Sequence, residues 1–335
     1  MISISRPGSA EGAPVTQQVY LDTFLAPLGP FLSQGDVTDI YVNRPGEIWT
    51  ESLGGAIARH DAPGLTDRVL SRLARQVAAH SAQGISREHP LLAANLPDGS
   101  RIQIILPPAT RGDIALAIRK HVNADLSLAD MGRLGSLDEV KVVDGEEATR
   151  PPFDPADYED VEHMLRAAVL QRRTVLVCGG ASTGKTTMLN ALLAEIPEEE
   201  RLVLIEDTPE LRLAHANAVG LVAARGSMGE AEVSPEDLLV ASLRMRPDRI
   251  ILGEVRGSEA ITFLRAANTG HPGSLCTIHA DSPERAIDQM ALLVLQTGPR
   301  MSWEDIVQYV RRSVDIVVHL GRSGGRRRVE TVLTV

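Results

Sequence analysis

A glycine-rich segment with a single lysine, GGASTGKTT, follows the apolar stretch TVLVC and precedes the helix-like stretch MLNALLAEI. The spacing of Gly179, four residues, Gly184, Lys185 and Thr186 matches the phosphate-loop pattern, and a strand before the loop and a helix after it are the context that this pattern requires. An ordinary glycine-rich turn would not explain why Lys185 is the only lysine in the second half of the chain. The segment therefore predicts a nucleotide-binding loop.

The chemistry of this predicted loop depends on its backbone and on two side chains. Glycines let backbone N–H groups turn toward phosphate oxygens, and the start of a helix adds its dipole. Lys185 would place its charge on the β and γ phosphates, and the Thr186 hydroxyl can bind Mg²⁺. The residues predicted to bind the nucleotide here are Gly179, Gly180, Ala181, Ser182, Thr183, Gly184, Lys185, Thr186 and Thr187.

Acidic side chains follow two other apolar stretches. Glu206 and Asp207 end LVLIED, with Glu210 just beyond, and Glu254 ends RIILGE. In an open α/β sheet the ligand lies outside the carboxyl ends of the strands, so these acids are predicted to converge on the phosphate loop. A single acid at such a position is more often a helix cap, but two sets after two strands favour catalysis. A carboxylate there can orient water for attack on the γ-phosphate or hold Mg²⁺ through its water shell, as predicted for Glu254.

Two histidines lie eight residues apart in TGHPGSLCTIHADSPERA. His271 and His279 are predicted to contact the γ-phosphate or the catalytic carboxylate. A metal site formed with Cys276 is a second interpretation, but the spacing matches no zinc pattern. A third is that backbone groups satisfy both imidazoles.

Composition excludes several classes of protein. Among 335 residues, 44 acidic and 34 basic side chains give a net charge of −10, and aromatic residues make up 3%, so a nucleic-acid coat protein is not indicated. No apolar run approaches the roughly 20 residues of a membrane-spanning helix. The first residues lack the pattern of a signal peptide, so a cytoplasmic protein is expected. Two cysteines cannot form a disulfide framework.

The first half of the chain predicts a small α+β domain. Residues 1–17 are rich in Ser, Gly, Pro and Ala and predict a flexible tail. The alternation in DVTDIYVNRPGEIWTE predicts two strands, and Thr66 is the expected N-cap of an amphipathic helix. LPDGSRIQIILPP and DIALAIRKH predict two further strands, which complete a domain over residues 18–135.

The second half predicts a different architecture. Residues 136–157 contain an acidic cluster and three prolines, which indicates a linker. From residue 158 to residue 335 helical stretches alternate with β-branched ones, which predicts an α/β domain with a mostly parallel sheet. The last residues predict a hairpin turned at Gly324 and Gly325.

The order of these motifs resembles that of the secretion ATPase superfamily. GGASTGKTT, LVLIEDTPEL, LRMRPDRIILGEVRG and TGHPGSLCTIHADSPERA are similar to its Walker A, Asp box, Walker B and His box, in the same order and with matching intervals. The resemblance covers residues 35–335 and is strongest to the type IV secretion branch, in particular the TrbB-type conjugal transfer ATPases. It implies a RecA-like P-loop NTPase domain, with ATP and Mg²⁺ as cofactors.

The resemblance also implies roles for particular residues and for the assembly. Members of this family are homohexamers at the cytoplasmic face of the inner membrane, where they act with inner-membrane components of a secretion or conjugation machine. By motif position, Arg101 and Arg119 would reach the phosphates, Glu254 would be the catalytic or water-polarising carboxylate, and His279 would sense the γ-phosphate. Glu206 and Glu210 would assist, and the choice of principal base between Glu206 and Glu254 stays open. The strand before Glu254 carries no aspartate at its end, as is normal in this superfamily.

Four other functions compete with this prediction. A type II secretion motor usually carries a four-cysteine metal insert, which two cysteines cannot supply. A pilus retraction motor is harder to separate by sequence. A RecA-like nucleic-acid motor would need a basic channel with stacking aromatics, and a GTPase would need an NKxD stretch, which this sequence lacks.

Overall fold

The computed structural model describes residues 15–121, 127–133, 135, 137–138, 140, 153–224 and 230–335. Contacts between residues divide the chain into two compact units. Unit 1 comprises Met1–Lys120 and Ala224–Ser234, and unit 2 comprises His121–Ala223 and Pro235–Val335. The segment Ala224–Ser234 interrupts unit 2 in sequence but belongs to unit 1, which sequence analysis did not predict.

Unit 1 is built on a six-stranded antiparallel sheet in the order β3-β2-β1-β6-β5-β4. Its strands are β1 (Val37–Val42), β2 (Gly46–Ser52), β3 (Ile57–Ala62), β4 (Leu91–Asn95), β5 (Arg101–Ile105) and β6 (Ala115–Arg119). Its helices are α1 (Val15–Leu25), α2 (Gly29–Leu32) and α3 (Asp67–His80). The predicted α+β character of this part of the chain is therefore present.

Helix α3 forms where the sequence predicts it. The Thr66 side chain accepts a hydrogen bond from the Val69 N–H at 3.3 Å, which satisfies a donor that the first turn leaves unpaired. The apolar face buries Leu70, Leu73 and Val77 completely, in the same core as strands β1, β5 and β6. This confirms both the cap and the buried face.

Unit 2 contains a seven-stranded sheet in the order β13-β12-β7-β11-β10-β8-β9, in which only the hairpin pair is antiparallel. Its strands are β7 (Val175–Gly179), β8 (Leu202–Glu206), β9 (Ala218–Val222), β10 (Arg249–Leu252), β11 (Leu275–Ile278), β12 (Ile316–Ser323) and β13 (Arg326–Thr334). Its helices are α4 (Leu128–Arg133), α5 (Val161–Leu170), α6 (Lys185–Leu193), α7 (Pro235–Ser242), α8 (Glu259–Asn268), α9 (Pro283–Gln296) and α10 (Trp303–Ser313). The α/β prediction for the second half is confirmed, including the hairpin turned at Gly324 and Gly325.

Several elements differ from the prediction at their edges. Helix α1 begins at Val15, inside the segment predicted as a tail, and residues 1–14 lie outside the described residues. Most of the predicted linker 136–157 also lies outside them, although Pro155–Asp157 form a short 3₁₀ turn. Strands β3, β4 and β9 were not predicted. No helix in the described ranges is long and apolar enough to cross a membrane.

A buried ion pair lies beside the parallel strands of unit 2. Arg249, which is fully buried at the start of β10, donates from Nε and Nη2 to the two oxygens of Glu200 at 2.8 and 2.7 Å. Its Nη1 donates to the carbonyl of Val169 at the end of α5, at 2.7 Å. One guanidinium group therefore links β10, the turn before β8 and helix α5.

Candidate nucleotide site

The phosphate-loop segment has the predicted context, since β7 ends at Gly179 and α6 begins at Lys185. Gly184 is the N-cap of α6 with a φ of 101°, a conformation that side chains other than glycine's rarely adopt. Gly179 also has a positive φ, of 156°, and a Cβ there would lie 2.5 Å from the Leu320 carbonyl oxygen. These two positions therefore require glycine for different reasons, backbone conformation at Gly184 and close approach to β12 at Gly179.

Lys185 is held inside this loop. Its Nζ donates to the carbonyls of Gly179 and Gly180, both at 3.0 Å, and lies 3.3 Å from Nδ1 of His279. Burial lowers the pKa of the lysine below its usual value, while the charge of Glu254 works in the opposite direction. The ammonium group is thus a poorly solvated cation at the amino end of a helix, where an anion would stabilise it.

A cleft of about 470 Å³ opens in front of the loop, at the carboxyl ends of the parallel strands. This is the position at which open α/β sheets bind their ligands. The cleft is lined by residues 181–187 and by Glu206, Asp207, Thr208, Glu210, Leu211, Gly253, Glu254, Arg256, Thr277, His279 and Arg327. The acids predicted to follow β8 and β10 are therefore brought to the phosphate loop.

Glu206 and Glu210 differ in what they contact. Glu206 is 4% exposed, and its Oε1 accepts the backbone N–H groups of Glu210 and Leu211 at 2.8 and 2.7 Å. Glu210 in turn accepts the Thr186 hydroxyl on its Oε2 at 3.0 Å. Glu206 therefore fixes the turn after β8, and that turn presents the Glu210 carboxylate to the amino end of α6.

Glu254 is surrounded by positive and polar groups. Arg256 donates to its Oε2 at 2.7 Å, and Nε2 of His279 lies 2.9 Å from its Oε1. Burial alone would raise the pKa of this carboxyl, but the Arg256 hydrogen bond and the charges of His279, Arg256 and Lys185 lower it below its usual value. The surroundings of Glu254 therefore favour its ionised form.

The arrangement after β10 holds Glu254 in place. The Thr277 hydroxyl donates to the Gly253 carbonyl at 2.7 Å, and the Val255 N–H donates to the Thr277 carbonyl at 2.9 Å. The chain after β10 is thereby tied to β11, whose next residues carry His279. Glu254 and His279, which lie 2.9 Å apart, are therefore positioned by the neighbouring strands β10 and β11.

Five predicted site residues are not among those that line this cleft: Gly179 and Gly180, which begin the loop, and His271, Arg101 and Arg119. His271 lies before β11, and its Nδ1 is 2.8 Å from the Pro247 carbonyl, at which distance the ring nitrogen donates. Burial lowers the pKa of His271, so it is a neutral imidazole bonded to the backbone. Arg101 and Arg119 lie in unit 1, opposite each other on the paired strands β5 and β6, and both are exposed.

Two arginines of the cleft were missed by sequence reasoning. Arg256 bridges Glu254 and Asp207, with its Nη1 3.3 Å from Asp207 Oδ2. Its position two residues after Glu254 could have been used to predict that it lies at the same site. Arg327 comes from β13, far along the chain from the loop, and nothing in its local sequence pointed to the cleft.

A strand ending in a phosphate loop, a mostly parallel sheet and two carboxylate-bearing strand ends define this protein as a P-loop ATPase. The pattern of the type II/IV secretion system protein family matches residues 23–324, and the chain belongs to this family of secretion ATPases. This confirms the family predicted from the four motifs.

The relatives lie in the type IV branch, as predicted. The type IV secretion system protein PtlH of Bordetella pertussis is 40% identical over 322 residues, which cover 93% of this chain and 94% of the relative. VirB11 of Bartonella henselae is 34% identical over 326 residues, 92% of this chain and 91% of the relative. The crystal structure of the VirB11 ATPase of Brucella suis with sulphate matches with a TM-score of 0.88 at 36% identity, over 96% of both chains.

Proposed function

We propose that this protein is a hexameric ATPase that powers type IV secretion or conjugal transfer, through pilus assembly or substrate translocation, by Mg²⁺-dependent ATP hydrolysis. The observation that carries the proposal is the continuous chain of contacts from Lys185 through His279 to Glu254 within the cleft. Relatives named as type IV secretion proteins cover more than nine tenths of the chain, which supports the same task for it.

The proposed reaction begins with the phosphate chain of ATP on the loop. The γ-phosphate draws the Lys185 ammonium group away from the carbonyls of Gly179 and Gly180, because a phosphate is a stronger acceptor than a neutral carbonyl. Backbone N–H groups at the start of α6 hold the remaining oxygens. His279, which contacts both Lys185 and Glu254, is then placed to detect whether the γ-phosphate is present.

Glu254 is the proposed principal carboxylate, with Glu206 as a positioning residue. Both oxygens of Glu254 face cations or imidazole at the cleft, whereas Oε1 of Glu206 is occupied by two backbone N–H groups. A base must contact water to orient it or to take its proton, and Glu206, which is 4% exposed, offers water less access than the partly exposed Glu254. The contacts thus support Glu254 rather than Glu206 as the principal base, a choice that the sequence leaves open.

The residues around Thr186 fit a hard cation. Its hydroxyl oxygen lies 3.0 Å from Glu210 Oε2, which gives two oxygen ligands of the kind that Mg²⁺ prefers. Glu254 would act on the ion through a bound water. When bound, Mg²⁺ neutralises charge on the β and γ phosphates.

A second group of proposed nucleotide ligands lies on unit 1. Arg101 and Arg119 are directly opposite each other in the antiparallel ladder, so their side chains share one face of the sheet. Two exposed guanidinium groups in this arrangement form a pair of forks suited to phosphate oxygens. We propose that they contribute to phosphate binding in an assembled homohexamer.

The proposed setting is the cytoplasmic face of the inner membrane, with inner-membrane components of the secretion machine as partners. The family and the named relatives support this setting, because VirB11 and PtlH are proteins of type IV secretion systems. No general binding to nucleic acid is expected of a chain with a net charge of −10.

The proposal is tested by measuring ATP turnover per chain across a concentration series, with mass determined by light scattering on the same samples. Turnover per chain should rise as a species of six subunits forms. A monomer with the full specific activity would contradict the hexameric assignment, and a hexamer without ATPase activity would contradict the motor.

A further inference from the structure

Arg327 reaches the nucleotide cleft because of how the C-terminal hairpin joins the sheet. Strand β12 lies parallel to β7, and Leu320 is opposite Gly179, where the phosphate loop starts. The hairpin continues beyond this point, and Arg327 lies opposite Arg322 in the backbone ladder of the hairpin, near its turn. The hairpin therefore extends alongside the loop, and Arg327 lines the cleft with it.

The stem of Arg327 lies against the last glycine of the loop. A Cβ placed on Gly184 would be 3.4 Å from Cδ of Arg327, an ordinary van der Waals contact. Because Gly184 is the N-cap of α6, the guanidinium group of Arg327 lies near the first turn of that helix. Backbone N–H groups of such a turn point at a bound phosphate, so the arginine is beside the expected path of the phosphate chain.

The charge of Arg327 is available, unlike that of the other strong cations in the cleft. Lys185 donates to two loop carbonyls, and Arg256 is paired with Glu254 and Asp207. Within the described part of the chain, Arg327 has neither an ion pair nor a hydrogen bond to its side chain. The nearby carboxylate of Glu330 instead forms an ion pair with the neighbouring Arg328, at 3.5 Å.

We propose that Arg327 is a further nucleotide-binding residue, which grips the phosphate chain of a nucleoside di- or triphosphate from the same subunit that supplies the phosphate loop. This inference rests on the proposed nucleotide site. A guanidinium fork donates two parallel hydrogen bonds to phosphate oxygens, a geometry that a lysine cannot match. The C-terminal hairpin would thereby sense an occupied loop directly.

The test compares Arg327→Gln with Arg326→Gln, by calorimetric titration of each purified full-length variant with ADP and with ATP. Side chains alternate along a strand, so Arg326 faces away from Arg327, and its replacement removes the same charge from the same hairpin. Arg327→Gln should weaken binding of both nucleotides by about 10- to 100-fold, the range expected for a lost hydrogen bond to a charged group. Arg326→Gln should bind within about twofold of wild type.

Equal affinity of Arg327→Gln and wild type would overturn the inference, and so would an equal loss in the Arg326→Gln variant, which would show a general effect of charge. Arg327→Lys should recover only part of the affinity, since it restores the charge without the fork. Wild-type protein that binds neither nucleotide would instead refute the proposed site itself, so the two failures are distinguishable.

Discussion

Nδ1 of His279 lies 3.3 Å from Nζ of Lys185, and Nε2 of the same ring lies 2.9 Å from Oε1 of Glu254. An ammonium group has only donors, so in the neutral form of the ring Nδ1 accepts from Lys185 and the ring proton is on Nε2, facing Glu254. One imidazole therefore connects Lys185 of the phosphate loop with Glu254 after β10, and its position depends on both.

Replacing His279 with alanine should slow hydrolysis far more than it weakens binding. Nε2 of the ring lies 2.9 Å from Oε1 of Glu254, the carboxylate proposed to be catalytic, and loss of a preorganised polar group at such a site costs about 10²-fold in kcat. ADP affinity should change by about twofold at most, because the phosphate loop is intact. Steady-state kinetics and titration with ADP measure the two effects, with His163→Ala, an exposed histidine on α5, as the control. Equal losses in kcat and in ADP affinity would contradict a role specific to hydrolysis.

Glu254→Gln and Glu206→Gln should separate the two acids. In Glu254→Gln an amide of the same size replaces the carboxylate and cannot accept a proton from water. We therefore expect ATP binding near wild type and a loss of about 10²- to 10⁴-fold in turnover. Glu206→Gln keeps an oxygen for the N–H groups of Glu210 and Leu211, and should retain most of its activity. Wild-type turnover in Glu254→Gln would transfer the role to Glu206.

Breaking the buried ion pair of Arg249 should strongly destabilise unit 2. Arg249→Met removes the bidentate partner of buried Glu200 and leaves that carboxylate with Arg172 alone, at 3.2 Å, so we expect a loss of about 2–4 kcal/mol, somewhat below that for a fully unpaired buried charge. Arg166→Met, at a half-exposed surface pair on α5, should cost no more than about 1 kcal/mol. Urea unfolding followed by circular dichroism gives both values. A loss for Arg249→Met as small as that of the Arg166 control would contradict the structural role.

His271 should make stability depend on pH in the mildly acidic range. Burial lowers its pKa below the ordinary value of 6.5, so the unfolded chain binds the proton more tightly than the folded one. Stability contributed by the neutral ring is therefore complete above pH 6.5 and falls as the pH drops toward the folded pKa. His271→Gln should lose this part of the pH dependence of the unfolding free energy, and His121→Gln, on an exposed histidine, should keep it. Identical pH profiles for His271→Gln and wild type would contradict the buried neutral ring.

The two histidines show where sequence reasoning failed and why. His271 and His279 are eight residues apart, and spacing suggested that both serve one phosphate site. Strand β11 occupies Leu275–Ile278 between them, so His271 precedes the amino end of the strand and His279 follows its carboxyl end. Of the two histidines, only His279, which follows the strand, reaches the carboxyl end of the sheet where the cleft lies.

Other parts of the structure followed from local signals. Thr66, the phosphate-loop glycines and the acids after β8 and β10 were predictable because short patterns determine their conformation. Strand β3 escaped prediction because its sequence, IARHDA, has no buried residue and lies at a sheet edge, and β9 has a glycine at its centre. Arg327 escaped because only the tertiary pairing of β12 with β7 brings it to Gly184.

ATP turnover by purified Lys185→Ala protein tests the central claim most directly. Burial already disfavours the charge of Lys185, so its removal should leave the fold and the unfolding transition close to wild type. Because this ammonium group supplies charge to the phosphates, turnover should fall to background while circular dichroism stays unchanged. Turnover at the wild-type rate by the folded variant would contradict the assignment of this cleft as the ATPase site.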